Sequence, residues 1–157
     1  MRTVVVDGVL TFTGVPESVR AARAWIARCL SGSPAADDAA LMVSELFTNA
    51  ILYTTSGHPG GLVTVSIAIS RGMARIHVID QGALLELSQA APSTAAAAAA
   101  APHLGAGLTI VRTLADEFVT EGPDKCFTLR IAGPVRPSPS DGPGGSEPGF
   151  EHWAGIR

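Results

Sequence analysis

The stretch LVTVSIAISRGMARIHVIDQG, from Leu62 to Gly82, decides how the chain folds. Val63, Val65, Ile67 and Ile69 alternate with smaller or polar residues, and the alternation resumes in Ile76 and Val78 against Arg75 and His77. A period of two marks strands with one buried face, because successive side chains of an extended chain point to opposite sides. Arg71-Gly72-Met73 joins the two runs as a tight turn, and so short a connection returns the second strand antiparallel beside the first. A doubly wound parallel sheet, which needs a crossover between neighbouring strands, is disfavoured.

The flanking segments complete the pattern. Thr3 to Val6 and Val9 to Thr13 are β-rich, and Asp7-Gly8 between them is a turn signal, so they form a hairpin or one bent strand. Pro16 stands where a helix begins, and Val19, Ala22, Trp25 or Ile26, and Cys29 follow at helical spacing. Arg20, Arg23 and Arg28 fall between them, so this helix is amphipathic, and Ser31 to Pro34 ends it. A second helix runs from Ala35 or Asp37 to about Tyr53. Asp37 and Asp38 complement its positive end, and Leu41, Met42, Leu46, Ala50 and Ile51 supply its buried side. Residues 54–61 read as a loop.

Downstream, residues 83–103 hold a seven-alanine run, Ala95 to Ala101, between Pro92 and Pro102. Seven alanines favour helix but are too few to hold one alone, so the segment reads as a mobile or partly helical lid. A third helix runs from about Gly107 to Asp116, followed by strands at Phe118–Glu121 and Cys126–Ala132. The fold class is α+β, a two-layer α/β sandwich with a mixed, mostly antiparallel sheet and three helices on one face. Residues 1–133 form one domain, and the Pro/Gly/Ser-rich residues 134–157 a disordered tail.

Composition narrows the function. Hydrophobic residues make up 46% of the 157, enough for a core, and the formal net charge of −3 argues against a general nucleic-acid binder. No apolar run approaches a membrane span, and Asp7 breaks the N-terminal one too early for a signal peptide. Cys29 and Cys126 lack metal-ligand spacing and read as reduced thiols of a cytoplasmic protein.

Three motifs carry chemistry. Glu45 and Asn49 stand four apart and share one face of the second helix. There a carboxylate can take a proton from an attacking hydroxyl while an amide oxygen ligates Mg²⁺. Asp80-Gln81-Gly82 ends a strand with a carboxylate acceptor and an open backbone that a flat ring can approach. Gly105-Ala106-Gly107-Leu108 leads into a helix, whose free amides and dipole suit an anion. Each alone is commonplace: a solvated helix face, a strand-ending turn and a lone Gly-x-Gly. The last is neither a P-loop nor a Rossmann fingerprint, since no Gly-Lys-Ser/Thr and no βαβ unit accompany it.

In this order, around two strands and a lid, the motifs resemble those of the GHKL, or histidine-kinase-like, ATPases. The resemblance is strongest to the branch of bacterial anti-sigma factor serine/threonine kinases. Glu45-x-x-x-Asn49 matches that family's N box, Asp80-x-Gly82 its first glycine box and Gly105-x-Gly107-Leu108 its second, within residues 10–132. The resemblance implies ATP and Mg²⁺ as cofactors. Asn49 holds the metal, Glu45 activates the acceptor hydroxyl of a partner, Asp80 accepts the adenine amine beside Gly82, and Gly105, Gly107 and Leu108 wrap the phosphates. Thr128 matches a position where the family places a hydroxyl near adenine. The implied partners are a sigma factor and an anti-anti-sigma protein of the STAS type, with a homodimer left open and neither nucleic acid nor membrane bound directly.

Departures from the pattern are Ala83-Leu84-Leu85 after the first box, Pro102 and His103 in place of an earlier glycine, and Tyr53 at a site that is often histidine. No lysine or arginine lies between Arg75 and Arg112. An ATP-binding module that regulates a partner without phosphorylating it is therefore the alternative to a kinase. A two-component histidine kinase is disfavoured, because no long dimerisation helix with an acceptor histidine precedes the domain.

Overall fold

The computed structural model describes residues 6–82 and 107–131. Strand β1 (Val6–Thr13) is followed by helices α1 (Pro16–Cys29) and α2 (Ala36–Tyr53), a single 3-10 turn (Thr55–Gly57), and strands β2 (Leu62–Ser70) and β3 (Met73–Ile79). Helix α3 covers residues 107–114, and β4 (Glu117–Glu121) and β5 (Asp124–Arg130) close the domain. The strands lie in the order β1-β2-β3-β5-β4.

All four pairings among the described residues are antiparallel, so the mixed sheet expected from the sequence shows no parallel pair there. The connections explain it. Two helices packed as a hairpin carry the chain down and back between β1 and β2, so β2 starts where β1 ended. A hydrogen bond from the Gly14 N–H to the Gly61 carbonyl, 2.9 Å, closes that end. β2–β3 and β4–β5 are tight hairpins, with Arg71 and Gly72 both at positive φ in the first.

One face of the sheet carries the core. Val63, Val65, Ile67, Ile76, Val78, Phe127 and Leu129 are buried against Ala22 and Ile26 of α1, Met42, Val43, Leu46 and Phe47 of α2, and Val111 of α3. Each such side chain contributes roughly 1.5–3 kcal/mol by leaving water. The N-terminal segment is one strand as described. Its residues from Val6 to Thr13 pair in unbroken register with Ile69 to Leu62, so Asp7-Gly8 makes no turn. Gly8 faces the core there, and a methyl group on it would stand 2.9 Å from the Trp25 ring. The expected lid, residues 83–103, and the tail, residues 134–157, lie outside the described residues.

Candidate functional site

Helix α2 buries Met42, Val43, Leu46, Phe47 and Ala50, which leaves Glu45 and Asn49 half-buried at the edge of that stripe, one turn apart. Gly107, the first described residue of α3, is buried directly against this edge: a methyl group on it would lie 2.6 Å from Glu45 Oε2. Glycine here lets the helix start approach the carboxylate. The described start of α3 thus lies against the Glu45 carboxylate of α2. Leu108 beside it is partly buried against the core.

The second centre lies at the end of β3. The Asp80 side chain is 2% exposed, and both its oxygens are engaged. Oδ1 accepts the Gly82 N–H at 2.7 Å, and Oδ2 pairs with the Lys125 ammonium. The Asp80 N–H donates to the Pro123 carbonyl, 3.0 Å, so the β4–β5 turn is clamped to this corner. Gly82 adopts φ +79°, a conformation suited to glycine, with open space where a side chain would stand.

The loop after α2 ties the two centres together. The Gly82 carbonyl accepts the Thr55 N–H at 2.9 Å and the Thr55 hydroxyl at 3.1 Å. Ser56, fully buried, donates its hydroxyl to the Leu62 carbonyl at 2.6 Å and accepts the Gln81 N–H at 3.0 Å. Gln81 Oε1 accepts the Leu62 N–H at 3.0 Å. From Glu45 to the end of α2 the helix rises about 12 Å. The Gly107–Glu45 contact therefore lies roughly two turns from the end that holds Gly82, a spacing suited to an extended ligand with an anionic end and a flat end.

Of the residues expected from the sequence, the structure sets Gly107 against Glu45, with Asn49 one turn further along α2 and Leu108 packed toward the core, and it joins Asp80 to Gly82 after β3. Gly105 lies outside the described residues. Thr128 is not brought to Asp80: it pairs with Arg75 and Glu117 and faces the other side of the sheet. There it lines a cavity of about 230 Å³ with Arg75, His77, Glu117, Val119, Glu121, Asp124 and Cys126. Within that cavity His77 Nδ1 lies 3.0 Å from both Asp124 carboxylate oxygens, and Nε2 lies 3.4 Å from Cys126 Sγ. The residue the sequence reading missed is Lys125, the chain's only lysine. Its signal was present, since Lys125 alternates with Phe127 and Leu129 and so belongs to the inner face.

Comparison with known proteins identifies the family. Residues 12–132 match the model of the histidine kinase-like ATPase domain. The chain is 30% identical over 81 residues to the anti-sigma F factor of Geobacillus stearothermophilus and 31% identical over 81 residues to that of Geobacillus thermodenitrificans. Each match takes in 51% of this chain and 56% of the relative, so the chain spans about half the length of the curated relatives it matches. The chain belongs to the histidine kinase-like ATPase domain family. As a member of that family it is a nucleotide-binding domain. No helix among the described residues is long and apolar enough to cross a membrane.

Proposed function

We propose that this domain binds ATP with Mg²⁺ and transfers the γ-phosphoryl group to a serine or threonine of a STAS-type anti-anti-sigma protein, as an anti-sigma-type regulator of the cytoplasm. The observation that carries the reading is the seating of Gly107 against Glu45, which sets a candidate base beside the first described residue of α3. Asp80 accepts the exocyclic amine of the base, and the gap at Gly82 admits the ring. The phosphates run along α2 toward the amides at the start of α3, where the helix dipole favours negative charge.

Glu45 takes the proton of the incoming hydroxyl as the phosphoryl group passes to it. Its position beside Asn49 keeps base and metal ligand within one helical turn. The Asn49 amide oxygen would help hold Mg²⁺, which would supply charge neutralisation for the phosphates. One observation fits that assignment: neither Glu45 nor Asn49 is tied up by a hydrogen bond among the described residues. The likeness to anti-sigma F factors supports a sigma factor as the second partner. The exposed Arg20 and Arg23 of α1 supply a surface for it.

The test is incubation with γ-labelled ATP, Mg²⁺ and STAS-type proteins encoded beside it. Label should appear on a serine or threonine of one of them. Glu45→Gln should slow transfer by about 10²–10⁴-fold while ATP binding stays within a few-fold. ATP binding without label transfer to any of them, unchanged by Glu45→Gln, would leave a regulatory binding module and sink the kinase reading.

A further inference from the structure

Asp80 does not stand alone at the base-binding corner. Its Oδ2 holds the ammonium of Lys125, and that ammonium lies 3.5 Å from the Pro123 carbonyl as well. An ammonium carries three N–H donors and each carboxylate oxygen two lone pairs, so one donor and part of the acceptor capacity remain for a ligand. Lys125 is 23% exposed on a flexible four-carbon stem, whereas Asp80 is sealed at 2%. The corner therefore presents a mobile donor beside a fixed acceptor, next to the open space at Gly82.

A lone carboxylate there would select an amine at C6 of a purine and repel a carbonyl. The ammonium changes the balance. An amine at C6 brings its hydrogens toward a carboxylate that the cation already shares. A carbonyl at C6 instead accepts from the ammonium, while the neighbouring ring N–H donates to the carboxylate. We propose that Lys125 is a specificity-determining residue that admits 6-oxopurine nucleotides, of the guanine type, alongside adenine nucleotides. The inference rests on the nucleotide-binding reading above and adds the base class to it. No other lysine of the chain can take the place of this one.

The experiment is displacement of a fluorescent ATP analogue by ATP, GTP and ITP with Mg²⁺, on the wild-type chain, Lys125→Met and Lys125→Arg, each checked for folding by its thermal melt. In the wild type GTP and ITP should compete within about tenfold of ATP. Lys125→Met should weaken GTP and ITP by about tenfold or more, the loss of one charged hydrogen bond, without weakening ATP. Lys125→Arg should retain 6-oxopurine binding, and ITP, which lacks the 2-amino group, ties the effect to C6. Binding of ATP with no competition by GTP or ITP overturns the inference. So does an equal loss of all three nucleotides in a folded Lys125→Met, which marks Lys125 as structural only. If the analogue does not bind the wild type at all, the nucleotide reading itself falls, and this inference with it.

Discussion

Cys126 lies on the outer face of the sheet, away from the nucleotide corner, and its surroundings set its chemistry. Burial pushes its thiol up to about 11, Arg75 opposes the rise, and Asp124, Glu117 and Glu121 add to it. The thiol is accordingly a poor nucleophile at neutral pH. In an unfolded chain it would ionise near 9, so between about pH 9 and 11 the unfolded state releases the proton first and stability falls as pH rises. Iodoacetamide modification followed by mass spectrometry should show the Cys126 rate in the folded chain still climbing steeply at about pH 10. In urea it should reach half its plateau near pH 9. A half-plateau near pH 9 in the folded chain would remove the burial argument. Lys125, its neighbour, points the opposite way along the same strand, and this one-residue difference separates the outer cavity from the site. Thr128 shows the same rule. The family resemblance puts its hydroxyl near adenine, yet its parity in β5, shared with Cys126, puts it on the outer face.

Ser56 joins three elements through one hydroxyl. It bonds the start of β2 and the residue after Asp80, while the 3-10 turn containing it follows directly from α2. Ser56→Ala removes a buried hydroxyl that makes two hydrogen bonds, to the Leu62 carbonyl and from the Gln81 N–H, which should cost about 1–3 kcal/mol and loosen the Asp80–Gly82 corner. Urea unfolding should show the loss as a lower midpoint at unchanged slope; a midpoint within error of the wild type would remove Ser56 from this role. The elements themselves were largely legible, because α1, α2, β2 and β3 each bury one face and so carry a clean period. The misreadings came where tertiary pairing overrides local preference. Asp7-Gly8 carries a turn signal, but pairing with β2 and the nearness of Trp25 to Gly8 hold it extended. β5 begins at Asp124 rather than Cys126, because Asp124 and Lys125 pair across to Glu121 and Thr120. That earlier start is what brings Lys125 onto the inner face beside Asp80.

The molecule as a whole is a sheet with two unlike faces. The helix-covered face holds the core and, along its edge, the residues proposed for the nucleotide. The opposite face holds the polar cavity around His77, Asp124 and Cys126. The candidate motifs can be seen in a sequence because each is local, a helix spacing or a strand end followed by glycine. Their joining cannot be, because Thr55–Gly82 and Gly107–Glu45 are contacts between distant segments that no period encodes. The most direct test is therefore a structure of the chain with Mg²⁺ and a non-hydrolysable ATP analogue. The purine should lie in the gap at Gly82 with its C6 substituent at Asp80 and Lys125, the metal on Asn49, and the terminal phosphate between Glu45 and the start of α3. A nucleotide seated in the outer cavity, or away from Asp80 and Asn49, would contradict the account.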